Sequence, residues 1–487
     1  MIAEQAPGSK LKPRTILLRF GLALAVLPLG WALGVALTSD SWERVVAIVG
    51  WLAQIGAILV DPLGGLLLWL VVSPFAPFVH LNLSLGAGIP DLGLDRIAAG
   101  FFCVVLLADV ARRRRRLASI TLVDGTVLLF AFALTLSSRM ALLGTFRAIQ
   151  NIFNSYLIPI LVYFLAKNLV RDRQAMRRVL AALGIVAGYL VILVVHEHIT
   201  GDEIFVIYGR VSSYTENLKR INSLLQNPAY IALALNMVLP FVLRAAFRSS
   251  DTVARWGYGL ATLVLLGTIV SLYNRAGWLG ALLVIVVSAT HYPRLRRGLL
   301  LAVVVLVPLV ALSWPLISNS VLVSERLTYD LSVGYRLNAM DVGLQLVSRQ
   351  PLFGIGFGSF STLVLTQELI PRASQNYWVP TTHNTYVDIL VSSGLSGLVP
   401  YAATFLALAW QSWRLYRRAR LDPTIDRSIL LALWCVLLVF TVTCATLDVV
   451  AAPFCSMVFW LIVGAVLGSL IWPAAGWGRR EGRLATP

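Results

Sequence analysis

The sequence predicts an all-α polytopic membrane protein of about fourteen transmembrane helices, with one large loop on one face. Three observations predict it. Hydrophobic residues make up 58% and charged residues only 13% of the 487 positions, and mean hydropathy is +0.80. A water-soluble chain of this length needs far more surface charge. Apolar runs of about 17–25 residues, the length that crosses a bilayer as a helix, recur along the chain. The arginines gather in short clusters between those runs.

In chain order the expected spans are 15–37, 43–60, 63–80, 95–111, 122–139, 150–168, 179–197, 227–247, 257–273, 277–292, 299–317, 384–410, 428–447 and 453–471. The first follows Lys10, Lys12 and Arg14, as a signal peptide's apolar core would. It is long and has no small-residue cleavage site, so it reads as a retained span. The second and third are joined at Asp61-Pro62. With a cytoplasmic N-terminus, alternation puts every dense basic cluster on one side: Arg112 to Arg116, Arg171 with Arg173, Arg177-Arg178, Arg244 with Arg248, Arg294 with Arg296-Arg297, Arg414 with Arg417-Arg418, and Arg479-Arg480. That is the positive-inside pattern, and it makes both termini cytoplasmic. It also accounts for the net charge of +17. No aromatic-basic platform for nucleic acid is present. Residues 1–487 read as a single integral membrane domain, without internal repeat or low-complexity linker. Cys103, Cys435, Cys444 and Cys455 lie in apolar segments without CxxC spacing and read as small buried hydrophobes.

The opposite face keeps two sizeable loops, about 197–226 and 318–383. In the second, Leu337, Met340, Leu344 and Val347 recur at helical spacing, with Arg336, Asn338 and Gln345 on other faces. This predicts a short amphipathic helix on the membrane surface. Pro351 ends it, and Gly354, Gly356 and Gly358 permit a tight turn. That GxGxG run is not a dinucleotide fingerprint, because no strand–helix unit surrounds it.

Basic residues on the loop face are few. Arg220 ends the first loop, Arg275 sits in Tyr273-Asn274-Arg275-Ala276-Gly277, and Arg336 opens the amphipathic helix. A boundary arginine is costly unless paired, and a guanidinium binds phosphate through two parallel hydrogen bonds. Three together could hold a diphosphate leaving group. Snorkelling to headgroups is the alternative for each. His383 enters the membrane directly after the loop that holds Arg336, and an imidazole can take a proton from a hydroxyl. Capping of a helix entry is its alternative role. Asn384, Tyr386 and Asp388 are neighbours that could orient the base or touch substrate, though one helical turn cannot point them all inward. His196-Glu197-His198 suggests a metal at first sight, but adjacent helix positions do not face one site. The loop-face carboxylates Glu43, Asp91, Asp95, Asp202, Glu203, Glu216, Asp341 and Asp448 form no DxD pair. Chemistry without metal or cofactor is therefore expected.

Gly334-Tyr335-Arg336, then Pro351-Leu352-Phe353-Gly354-Ile355-Gly356, then His383-Asn384-Thr385-Tyr386 with Gly394-Leu395-Ser396-Gly397 together resemble the signature of the O-antigen ligase and polymerase family of bacterial inner-membrane glycosyltransferases. The segment from Arg220 to Asn227-Pro228 resembles that family's upstream arginine segment, with Ser223 where a glycine is common. Asn274-Arg275-Ala276-Gly277 resembles its short arginine turn. The resemblance covers about residues 200–400. It implies a GT-C type helical fold in the inner membrane and an undecaprenyl-diphosphate-linked glycan as donor at the periplasmic face. It also implies His383 as general base, with Arg220 and Arg336 on the diphosphate and inversion at the anomeric carbon. The acceptor, whether another lipid-linked glycan, lipid A-core or protein, stays open; the extra spans lean towards a polymerase. A transporter or flippase of a lipid-linked or anionic substrate is the competing reading. Discontinuous helices, inverted repeats and charges near the membrane midplane would support it, whereas this chain shows no repeat and its distinctive groups cluster at one surface.

Overall fold

A computed structural model of the chain describes residues 42–79, 81–83, 92–113, 116–206, 214–215, 218–219, 221–318, 331–370, 381–422 and 425–471. The expected first span, His80 and Arg220 lie outside these residues. The helices are α1 Trp42–Val60, α2 Pro62–Val72, α3 Leu94–Ala111, α4 Leu122–Ser137, α5 Thr145–Ile152, α6 Ile158–Leu169, α7 Arg173–Thr200 and α8 Pro228–Arg248. Then come α9 Thr252–Ser271, α10 Arg275–His291, α11 Pro293–Ser318, α12 Leu331–Arg349, α13 Ser359–Thr366, α14 Thr385–Arg418, α15 Arg427–Cys444 and α16 Pro453–Ile471. Two small antiparallel ribbons, β1–β2 and β3–β4, pair Asn82–Leu83 with Leu92–Gly93 and Tyr214–Thr215 with Leu218–Lys219. The chain is an all-α polytopic membrane protein.

Helix covers every expected span from the second onward, but not all at full length. Among the described residues, nine helices are long and apolar enough to cross a membrane. The runs expected at 43–60, 63–80 and 277–292 form shorter apolar helices. The second of these stops early because Ser73-Pro74 interrupts it and the chain tightens into a 3-10 turn, Ser73–Phe75. α3 carries Asp95, Arg96 and Asp109. Asp95 accepts hydrogen bonds from Trp69 Nε1 (2.6 Å) and Ser73 Oγ (2.9 Å), which ties α3 to α2. α5 and α6 join through a π turn, Phe153–Leu157, ahead of Pro159, whose missing N–H the wider turn accommodates.

The core sits where α6 crosses α16. A side chain at Gly464 would meet the Tyr163 carbonyl at 2.4 Å, and one at Gly468 the Lys167 carbonyl at 2.6 Å. Small residues let these backbones touch, as close helix crossings in lipid require. A satellite core of Tyr335, Ala339, Leu346, Val347, Phe360, Val364, Ile370, Val387 and Val391 joins α12 and α13 to the first turns of α14.

The stripe expected on α12 divides between two surroundings, with Val347 buried in this core. Leu337 and Leu344 are exposed, 60% and 47%, and the covered face of α12 is Tyr335, Ala339, Gly343, Leu346 and Val347. A side chain at Gly343 would press on Val387 at 3.1 Å and Val391 at 3.2 Å. The helix therefore packs through its small residues onto α14.

Candidate active site at the start of α14

Asn384 starts α14 as its N-cap: its side-chain oxygen accepts from Tyr386 N–H (3.0 Å) and Val387 N–H (3.2 Å). Its Nδ2 donates to the Ala445 carbonyl at 3.1 Å. Thr385 donates to the Leu447 carbonyl (2.7 Å) and accepts from Val449 N–H (3.0 Å). Tyr386 donates through its hydroxyl to the Thr441 carbonyl at 2.8 Å. The first turn of α14 is thus tied to the connection between α15 and α16. His383 precedes it with φ 52, a left-handed backbone uncommon outside glycine. Its ring lies edge-on to Tyr335, centroids 5.7 Å apart.

Arg336 follows Tyr335 on α12. It is half-buried, and its Nε is buried with no hydrogen-bond partner among the described residues. A sheltered guanidinium N–H with no acceptor leaves a demand for an anion. The Tyr335–His383 contact therefore packs the base candidate against the turn of α12 that carries Arg336.

The glycine-rich turn explains the bend beneath. Gly394 interrupts α14 with φ 63 and ψ −159. Leu395 N–H donates to Pro351 O (2.9 Å), Ser396 N–H to Leu352 O (3.0 Å), and Ile355 N–H to Val391 O (2.8 Å). The turn supplies the partners that the broken helix lacks. A side chain at Gly354 would strike the Val391 carbonyl at 2.4 Å, and one at Gly394 would strike Leu352 at 2.4 Å. The motifs at 351–358 and 394–397 are two halves of one backbone lock.

The same end of the bundle gathers the Arg275 turn. Asn274 caps α10, accepting from Gly277 N–H at 2.7 Å. Asn236 of α8 donates to the Gly277 carbonyl at 2.9 Å. Cys455, near the start of α16, contacts the Tyr230 carbonyl of α8 at 3.3 Å. Arg275 itself is exposed. Ile221 to Gln226, directly after Arg220, form the turn that leads into α8.

Residues 260–402 match the family model for O-antigen ligase. The match supports assignment to the O-antigen ligase/polymerase family. No curated protein matches the chain. The O-antigen ligase segment starts in α9 and ends just past the Gly394 break. It contains Arg275, Arg336, the glycine-rich turn and His383, and Arg220 lies upstream of it.

Within the matched segment, the His383 ring lies against Tyr335, and Arg336 is the next residue of α12. Arg275 shares their end of the bundle. Asn384 and Tyr386 lie beside His383, but their polar groups are engaged by the fold as described. Asp448 abuts this turn from the α15–α16 connection; burial pushes its carboxyl up to about 6, against the lowering effect of the Val450 N–H. Sequence reading quoted Thr385 and Tyr335 within its motifs but gave neither a role.

Proposed function

We propose that the chain is an inverting membrane glycosyltransferase that polymerises or ligates an undecaprenyl-diphosphate-linked glycan at the periplasmic face of the bacterial inner membrane, in surface-polysaccharide synthesis. The observation that carries this reading is the Tyr335–His383 contact, which brings the candidate base against the α12 turn that bears Arg336, whose buried Nε has no acceptor among the described residues. The family match over 260–402 supports the reaction class.

In this mechanism His383 takes the proton of the acceptor hydroxyl as that oxygen attacks the anomeric carbon. The bond from that carbon to the diphosphate oxygen breaks, and undecaprenyl diphosphate leaves with the electron pair. Arg336 and Arg220, with Arg275 at the rim, bind the diphosphate and offset its growing charge. Because the reacting groups are an acid–base residue and fixed cations, no metal enters these steps. Asn384 and Tyr386 act mainly by holding His383 in its left-handed turn, and contact sugar only where their existing bonds allow.

The test is expression of wild type, His383→Ala and Arg336→Ala in a host that makes a lipid-linked glycan. Transfer by wild type, with donor accumulating in both variants at normal protein levels, is the expected result. A ladder still on lipid identifies a polymerase, and glycan on lipid A-core identifies a ligase. Variants equal to an active wild type overturn the site and favour transport.

A further inference from the structure

We propose that Glu197 and His198, adjacent near the end of α7, are positioning residues that hold two arginine-bearing turns of the site in register; the proposal rests on the transferase reading. Glu197 is only 2% exposed. One carboxylate oxygen accepts from Asn222 N–H at 3.1 Å and the other from Ser223 N–H at 2.8 Å. A carboxylate this buried is costly unless hydrogen bonds replace its water. Here two successive backbone amides do so, and both lie just after Arg220 in the chain.

That turn needs restraint. Ser223 (φ 43) and Gln226 (φ 55) are both left-handed without being glycine, a backbone that strains an L side chain. Further bonds brace the turn: Asn222 Nδ2 to Glu203 (3.0 Å) and Gln226 Nε2 to the Phe205 carbonyl (2.6 Å). The left-handed backbone at Ser223 also explains why a glycine suits this position.

The next helix position points elsewhere, about 100° round the axis. His198 Nε2 meets the Ser271 carbonyl at 3.1 Å, and its ring lies edge-on to Tyr273 with centroids 6.3 Å apart. Tyr273 is itself left-handed, φ 50, and leads directly into Asn274-Arg275. Two neighbouring side chains of one helix thus hold the entry to the Arg275 turn and the exit from Arg220. Their divergence, which argues against a shared metal, is what lets them serve two turns.

The test uses the full chain in lipid vesicles, with an undecaprenyl-diphosphate-linked glycan as probe donor. Variants are Glu197→Gln, His198→Ala, Ser223→Gly and Glu197→Gln with Ser223→Gly. Glutamine keeps one acceptor and turns an NH2 towards the second amide. Glu197→Gln is expected to lower kcat/KM about ten- to a hundred-fold, mainly through donor KM, because displacement by about 1 Å carries such a penalty. His198→Ala shifts donor KM in the same direction. Amide exchange at Asn222 and Ser223 quickens in Glu197→Gln. Ser223→Gly alone is near neutral, and in the double variant it recovers part of the loss, since glycine holds a left-handed φ without a clamp. Unchanged kinetics in Glu197→Gln and His198→Ala, or losses that follow protein level and resist Ser223→Gly, overturn the proposal. A wild type silent in transfer fails the transferase reading; an active wild type with unaltered variants fails the bracket alone.

Discussion

Near the Arg418 end of α14 several cations pair with carboxylates of the fold, whereas at the His383 end Arg336 keeps a buried Nε–H without an acceptor among the described residues. Arg427, at the Arg418 end, has a buried Nε of the same kind, but its guanidinium lies over the Tyr416 ring. Lys167 and Asp124 pair at 2.5 Å with side chains 2% and 3% exposed, and Tyr163 donates to the same carboxylate at 2.7 Å. Arg244 pairs with Asp426 at 2.5 Å, Arg248 reaches it at 3.4 Å, and Arg178 pairs with Asp61. These pairs join helices distant in sequence and complete one another's charge. Arg336 and Arg275 have no ion pair among the described residues. A cation matched within the fold supports architecture. One left with donor capacity beside a base candidate is suited to an anionic ligand.

The comparison can be broken at its structural end first. Lys167→Met leaves Asp124 buried without its cation, and about 3–5 kcal/mol of stability is expected to go. Thermal unfolding in detergent should register this, with transfer per folded molecule unchanged. Loss of transfer beyond loss of fold would put function at the wrong end.

At the other end the pattern should invert. Arg336→Lys keeps the charge but loses the planar fork, and transfer should fall about a hundred-fold, roughly 2.7 kcal/mol. The melting temperature should stay within a degree or two, because nothing in the fold answers that guanidinium Nε. A large drop in melting temperature at full activity would make Arg336 structural.

The pH dependence sharpens the contrast. Asp448 is raised to about 6 by burial, so its contribution to stability is fully present below its ordinary value near 3.8 and is lost as pH rises through about 6. Asp426 is desolvated too, but Ser428 and the Arg244 and Arg248 guanidinium groups hold it down to about 2. Its contribution is present above 3.8 and lost as pH falls through about 2. Unfolding measured from pH 4 to 8 should therefore show a decline that Asp448→Asn flattens and Asp426→Asn does not. An identical slope in wild type and Asp448→Asn would contradict this assignment.

The smallest expected effect is at the cap. Asn384→Ala removes the N-cap bonds and the bond to Ala445, at a cost of about 1 kcal/mol. If Asn384 mainly holds His383, transfer should fall modestly and Asn384→Asp, which still caps, should restore most of it. Full loss in both variants would make the amide a substrate contact.

Much of this was legible in the chain itself. Apolar runs located the helices because a segment in lipid must satisfy its own backbone. The sequence also marked Arg336, His383 and the glycine-rich turn as parts of one loop, and the family model spans the same stretch. What it could not show is which side chains face one another. The stripe of Leu337, Met340, Leu344 and Val347 marks α12 as amphipathic, but it could not show that Ala339 and Gly343 face α14, because closeness of approach, which is steric, decided that contact. Likewise the lock between 351–358 and Gly394 has no signature in either motif alone, since it consists of backbone hydrogen bonds between segments about forty residues apart. Composition and periodicity determined that the chain crosses a membrane and which residues could do chemistry. Only the tertiary structure decided that Tyr335 of α12 meets His383 at the start of α14, because contact between distant segments depends on packing that local sequence does not encode.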